Sequence, residues 1–177
     1  IPGEWSTDFA IDKETYLRWF KQMQEMGANT LRIYTVQNDT FYNAFYEYNK
    51  DNDNPLWLIH GVWVNDYIQN SHRDAYDKDF FDAFLEDCKT VVDVLHGNKK
   101  ISLGRMASAG SGTYNKDISK WVIGYILGVE WEDVTVVYTD EKYENNDKYN
   151  SYTGKYMYTA EDATPFEAML ARVGDKV

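Results

Sequence analysis

Two largely apolar stretches of nine residues carry no Asp, Glu, Lys or Arg: Leu56 to Val64 and Trp121 to Val129. Pro55 precedes the first and Glu130 follows the second. That length and near-continuous apolarity suit a strand buried on both faces, and such strands belong to parallel sheets covered by helices. A further strand reads at Thr30-Leu31-Arg32-Ile33-Tyr34-Thr35-Val36, a run rich in β-formers.

Helical patterns separate these strands. Tyr16, Trp19, Phe20, Met23 and Met26 share one face of a helix over 14–26, with Asp12 as N-cap, Glu14 in the first turn and Gly27 as the stop. A short helix over 39–48 carries Phe41, Phe45 and Tyr48 and is broken by the polar run Asn49 to Asn54. The longest helix, 79–96, presents Phe81, Phe84, Leu85, Cys88, Val91, Val92 and Leu95 as a stripe and ends at Gly97. Residues 98–117, with Gly104, Gly110 and Gly112, read as a long loop, and long loops in compact domains often carry function. Val134 to Tyr138 reads as a short extra strand, and 140–151 as a hydrophilic loop. The last helix opens with three agreeing signals, Thr164 as cap, Pro165 at N1 and Glu167 at N3, and runs to about Val173. This alternation specifies one α/β domain over 1–177, with a parallel sheet of three to four strands, flanking helices and right-handed crossovers.

Composition removes several classes of function. The formal charge of −11 makes a surface that repels phosphate backbones, so nucleic acid is not an expected partner. No apolar run approaches the roughly 20 residues of a membrane span. A hydrophobic content of 44% argues against disorder. The single cysteine, Cys88, cannot form an intramolecular disulfide and reads as a small buried hydrophobe. His60, His72 and His96 lack the spacing of a zinc site, and no metal or cofactor is expected. Gly110-Ser111-Gly112-Thr113-Tyr114-Asn115 breaks the dinucleotide fingerprint at its last glycine. There is no phosphate-binding Gly-Lys-Ser/Thr, no Gly-x-Ser-x-Gly elbow, and the calcium-like start at Asp51 is interrupted by Pro55 and Leu56. Ile1-Pro2-Gly3-Glu4 shows no targeting signal.

In parallel α/β folds the functional groups gather at the carboxyl ends of the strands. Here those ends carry Arg32, Tyr34 and Gln37, then Trp63, Asn65 and Asp66, then Glu130, Trp131, Glu132 and Asp133. Tryptophan faces stack on pyranose C–H surfaces while Arg and carboxylates bond hydroxyls, so the set suits a carbohydrate. Glu130, ending nine uncharged residues, reads either as a general acid/base desolvated beside Trp131 and Tyr125 or as a residue that simply meets water. Arg32 either pairs with Glu130, holds a sugar hydroxyl or bridges strands. His60 is a satisfied core or rim histidine, or a further sugar contact. Tyr143, Tyr149, Tyr152, Tyr156 and Tyr158 either line a sugar surface or sit on a partly exposed loop and hairpin.

Met26-Gly27-Ala28-Asn29-Thr30-Leu31-Arg32-Ile33-Tyr34 resembles the second βα unit of the retaining TIM-barrel glycoside hydrolases. Leu58-Ile59-His60-Gly61-Val62-Trp63 resembles their third strand, and Trp121 through Trp131 their fourth, which ends in the acid/base glutamate. A subgroup of large bacterial glycosidases reads similarly along most of the chain. The resemblance implies that Glu130 is the acid/base and that Arg32 supports active-site carboxylates; the residues at and near the strand ends expected to contact sugar are Arg32, Tyr34, His60, Trp63, Asn65 and Trp131. Val129 departs from the better-known families, where Asn precedes this Glu. A whole barrel needs about 250 residues, and nothing here corresponds to a nucleophilic Glu after a seventh strand. The chain therefore reads as a partial (β/α) barrel, a fragment inactive alone, whose open sheet edges favour self-association. The alternative is a non-catalytic carbohydrate-binding or assembly domain. The acidic, cysteine-poor composition leans towards the outside or surface of a bacterium, with the cytoplasm as the alternative.

Overall fold

The structure is a computed structural model and describes residues 11–64, 73–102 and 110–177. Its ordered elements are α1 (Lys13–Glu25), β1 (Thr30–Ile33), α2 (Asp39–Asn49), β2 (Trp57–Trp63), α3 (Lys78–Leu95), β3 (Lys99–Ile101), β4 (Gly112–Tyr114), a 3-10 turn (Ser119–Trp121), β5 (Val122–Val129), α4 (Asp133–Tyr143) and α5 (Pro165–Gly174). The chain gathers into two compact units, one of residues 1–62 with 90–126 and the other of 63–89 with 127–177. β2, α3 and β5 each contribute residues to both units. Among the described residues no helix is long and apolar enough to cross a membrane.

A three-stranded parallel sheet has the order β1-β2-β5. β1 and β2 run in register Thr30↔Trp57, Leu31↔Leu58, Arg32↔Ile59 and Ile33↔His60. Leu58, His60 and Val62 are buried, whereas β5 exposes Ile123 (55%) and Tyr125. The expectation of a last strand buried on both faces is corrected: β5 is an edge strand, and alternate side chains over its first half meet solvent.

In the first unit α1 begins where the Asp12 carboxylate accepts the Thr15 amide at 2.8 Å and ends at Gly27, whose φ of +92° lets the chain turn into β1. Phe20 is the buried anchor of α1 and meets Phe41, Phe45 and Tyr48 of α2 edge-on at 5.7–5.8 Å. The apolar stripe foreseen for α1 is only partly used: Trp19 is exposed and Met26 is 79% exposed. At the far end of α2, buried Asn49 donates to the Leu56 carbonyl and accepts the Leu56 amide, both at 2.9 Å. One side chain thereby satisfies both backbone groups of Leu56 just ahead of β2.

The loop foreseen over 98–117 contains a short antiparallel hairpin, β3 paired with β4. Gly110 and Gly112 permit close packing against the segment 37–39. A Cβ on Gly110 would lie 2.2 Å from the Gln37 carbonyl carbon, and one on Gly112 (φ +145°) 2.3 Å from Asp39 Cγ. The Ser111 amide donates to Asn38 and the Thr113 amide to Asp39, each at 2.9 Å. The run thus seals the segment that follows β1.

In the second unit the foreseen strand at 134–138 is helical, being part of α4. Thr135 and Thr139, one turn apart, face inward, while Val134, Val137 and Tyr138 are exposed. The inward threonine works: Thr139 Oγ1 accepts the Ala75 amide at 3.0 Å. α5 matches expectation, with a full capping box between Thr164 and Glu167 and Pro165 at its start, and it buries Phe166, Met169 and Val173.

Candidate functional site

β5 stops at Val129, and the next three residues form a tight corner before α4. Gly128 has φ +86°, and Glu130 has φ +61°, a left-handed conformation unusual for a residue with a Cβ. The corner is tied by Trp131, whose Nε1–H donates to the Leu127 carbonyl at 2.9 Å. The indole lies so close over Gly128 that a Cβ there would sit 2.0 Å from Trp131 Nε1. Phe80, Phe84 and Phe166 surround the same indole with ring centroids 5.0–5.9 Å away. Trp131, expected to stack on sugar, is instead half-buried packing whose polar edge is already used.

Glu130 itself is exposed. The desolvation beside Trp131 and Tyr125 that the sequence suggested is absent, and Tyr125 is exposed as well. What distinguishes Glu130 is its backbone, held in a sparsely populated region and aimed out of the strand end. Because the strand ends at Val129 and Glu132 is the N-cap of α4, the two carboxylates are not alternate residues of one strand.

At the end of β1, in the first unit, Arg32 is exposed and its guanidinium lies 4.6 Å over the Tyr34 ring. Tyr34 is exposed too. Among the described residues no carboxylate forms an ion pair with Arg32, so the inter-strand salt bridge is not what holds it.

His60 is fully buried, and both ring nitrogens are engaged: Nε2 lies 2.8 Å from the Tyr42 hydroxyl and Nδ1 2.8 Å from the Gly61 carbonyl. Nδ1–H donates to the carbonyl, and the Tyr42 hydroxyl donates to Nε2 while accepting the Gln37 amide at 3.2 Å. Burial holds the imidazole pKa down at about 4, with the Gly61 bond acting in the opposite direction, so the ring is neutral near pH 7. This arrangement is the satisfied core histidine and leaves no ring atom for a sugar.

Trp63, half-buried, ends β2 in the second unit. Asn65 and Asp66 lie outside the described residues. Cys88 is buried, and burial pushes its thiol up to about 12, in keeping with an inert hydrophobe. Among the described residues no group of three or more His, Cys, Asp or Glu side chains could hold a metal ion. Of the five tyrosines noted in the sequence, Tyr149 and Tyr152 line a cavity in the second unit, whereas Tyr156 and Tyr158 are exposed. The basic side chains of that cavity gave no sequence signal, because they come from three separate segments.

Comparison with protein-family models, with curated proteins and with solved structures finds no match.

Proposed function

We propose that this chain belongs to a carbohydrate-active protein of the TIM-barrel glycoside hydrolase kind, with Glu130 as general acid/base. The observation that carries the proposal is Glu130 itself: an exposed carboxylate in a left-handed conformation at the carboxyl end of a parallel strand. Strain of this sort persists where surrounding structure over-determines it, and it collects at functional sites. The proposal extends to the fold. The parallel strands are neighbours in chain order, each is followed by a helix, and the sheet order does not reverse, all of which suits a singly wound (β/α) barrel. In such a barrel Ile123 and Tyr125 would belong to a covered face.

Retaining hydrolysis needs a second carboxyl about 5 Å from the first. Turnover by this reading therefore requires a partner carboxylate for Glu130. The second reading is a non-catalytic carbohydrate-binding module. The exposure of Glu130 favours it, since an acid that donates a proton near neutrality is usually kept partly dry.

One experiment separates the two. Wild type and Glu130→Gln are tested side by side for saccharide binding on an array and, within a longer parent protein that supplies the second carboxylate, for turnover of aryl glycosides. Turnover abolished by the substitution, with binding retained, supports the acid/base role. Binding with no turnover in either protein leaves the binding module. Neither binding nor turnover overturns both readings.

A further inference from the structure

Against the acidic character of the chain, a cavity of the opposite charge lies among the described residues. It has a volume of about 280 Å³ and lies within the second unit. Lys78, Lys148, Arg172 and Lys176 line it, and Asp82 is the acidic residue among its described lining. Tyr76, Phe81, Tyr149 and Tyr152 supply its aromatic walls.

The walls are fixed by bonds that the fold already needs. The Tyr76 hydroxyl reaches the Tyr149 and Pro165 carbonyls, each at 3.1 Å. Arg172 Nη2 donates to the Lys148 and Ser151 carbonyls, fastening the 148–151 segment to α5. The Tyr152 hydroxyl donates to Asp175 at 3.0 Å. A pocket built this way exists before any ligand arrives, which lowers the ordering cost of binding.

The cations are less well satisfied than the walls. Lys78 is paired with Asp82. Among the described residues Lys148, Arg172 and Lys176 have no carboxylate partner. They stack instead on the aromatic walls, Lys148 5.3 Å over Tyr149, Arg172 4.8 Å over Tyr152 and Lys176 5.6 Å over Phe81. Asp175, the C-cap of α5, is committed to the Tyr152 hydroxyl and to the amides of 155–157. Arg172 Nε is buried and has no acceptor in hydrogen-bonding geometry, although its guanidinium is near enough to Tyr76 to restrain the rise that burial imposes on that phenol. A buried charged donor without an acceptor is a rare and costly feature in a finished structure.

We propose that this cavity binds a small organic anion carried on a six-membered ring. The anion, a carboxylate in the simplest case, sits among Lys148, Arg172 and Lys176, and the ring face lies on the tyrosine walls. The volume suits one ring rather than a polymer. A sugar acid and an aromatic acid share this chemistry. The proposal does not rest on Glu130 or on the glycosidase reading.

The test is an amide chemical-shift titration of the whole chain at low ionic strength with D-glucuronate, benzoate, D-glucose and inorganic sulfate. Saturable shifts at Tyr76, Tyr149 and Tyr152 are expected with glucuronate or benzoate, and whichever binds more tightly tells sugar acid from aromatic acid. Glucose, which lacks the charge, should leave these resonances unmoved. Lys148→Gln and Lys176→Gln alter exposed side chains and should fold normally while weakening the preferred acid about fivefold or more. Lys21→Gln, on α1 in the other unit, should have no effect. The proposal is overturned if neither acid shifts these residues, if the two cavity variants titrate like wild type, or if sulfate binds as tightly as both ring acids, which would mean an unselective anion patch only.

Discussion

The Trp131 indole closes onto the Leu127 carbonyl at 2.9 Å, and that bond shapes the corner on which Glu130 stands. Gly128 lies beneath the indole, in a conformation and a space that exclude a side chain. Gly128→Ala should therefore destabilise the fold by about 2 kcal/mol or more, through both the positive φ and the clash with the ring. Trp131→Phe, which keeps an aromatic ring but leaves the Leu127 carbonyl without its donor, should cost about 1–3 kcal/mol. Urea denaturation measures both. A Gly128→Ala protein with an unchanged midpoint would show that the corner is not held as described.

β2 and β5 were legible because each is a short uncharged run, β1 because it is a run of β-formers after Gly27, and the capping signals at Asp12 and Thr164 are local chemistry. What failed depended on neighbours distant in the chain. Val134 to Tyr138 has the composition of a strand, yet it is helical within α4, where the inward Thr139 bonds the Ala75 amide from far earlier in the chain. The pairing of Lys99–Ile101 with Gly112–Tyr114 involves three residues a side and no alternating apolar pattern. Gly110 is explained by the backbone of Gln37 and Asn38 and Gly112 by the Asp39 side chain, more than 70 residues earlier. At the candidate site the sequence located the strand end but not its geometry. Nothing in Gly128-Val129-Glu130-Trp131 announces that the tryptophan, rather than the glutamate, is drawn inward.

His60 makes a pH-dependent contribution whose sign follows from its burial. Its folded pKa, about 4, is below the ordinary 6.5, so between those values the unfolded chain holds more protons than the folded one. Stability from this group is complete above pH 6.5 and is lost as the pH falls towards 4, by up to about 3 kcal/mol. Denaturation midpoints taken at pH 7, 5.5 and 4 should fall more steeply for wild type than for His60→Gln. Parallel curves would show that the buried imidazole does not control the acid limb. Tyr42→Phe, which removes the donor to Nε2, should cost about 1–3 kcal/mol at pH 7.

Asp175 is an exposed-side latch with a distinct acid signature. Its carboxylate accepts the amides of Lys155, Tyr156 and Met157 at 3.1, 2.5 and 2.7 Å, and these bonds hold its pKa down at about 2. Gly154 is required beside it, since a Cβ there would lie 2.3 Å from the carboxylate. The latch is fully present above the ordinary carboxylate pKa of 3.8 and is lost as the pH falls through 2. Asp175→Ala should speed hydrogen exchange at the Tyr156 and Met157 amides while leaving α1 unaffected. Unchanged protection at these two amides would remove Asp175 from this role.

Glu130 offers a direct measure of whether its backbone is strained for a purpose. A non-glycine residue in the left-handed region costs roughly 1–2 kcal/mol, and glycine adopts it freely. Glu130→Gly should therefore raise stability by about 1 kcal/mol, because the exposed side chain makes no hydrogen bond or ion pair with the described residues that would be lost. Glu130→Gln keeps the Cβ and should leave stability within about 0.5 kcal/mol of wild type. If Glu130 acts on a ligand, both substitutions impair that activity while only one stabilises. A glycine variant no more stable than wild type would mean that the corner imposes no strain, and the structural argument for a functional Glu130 would lose its main support.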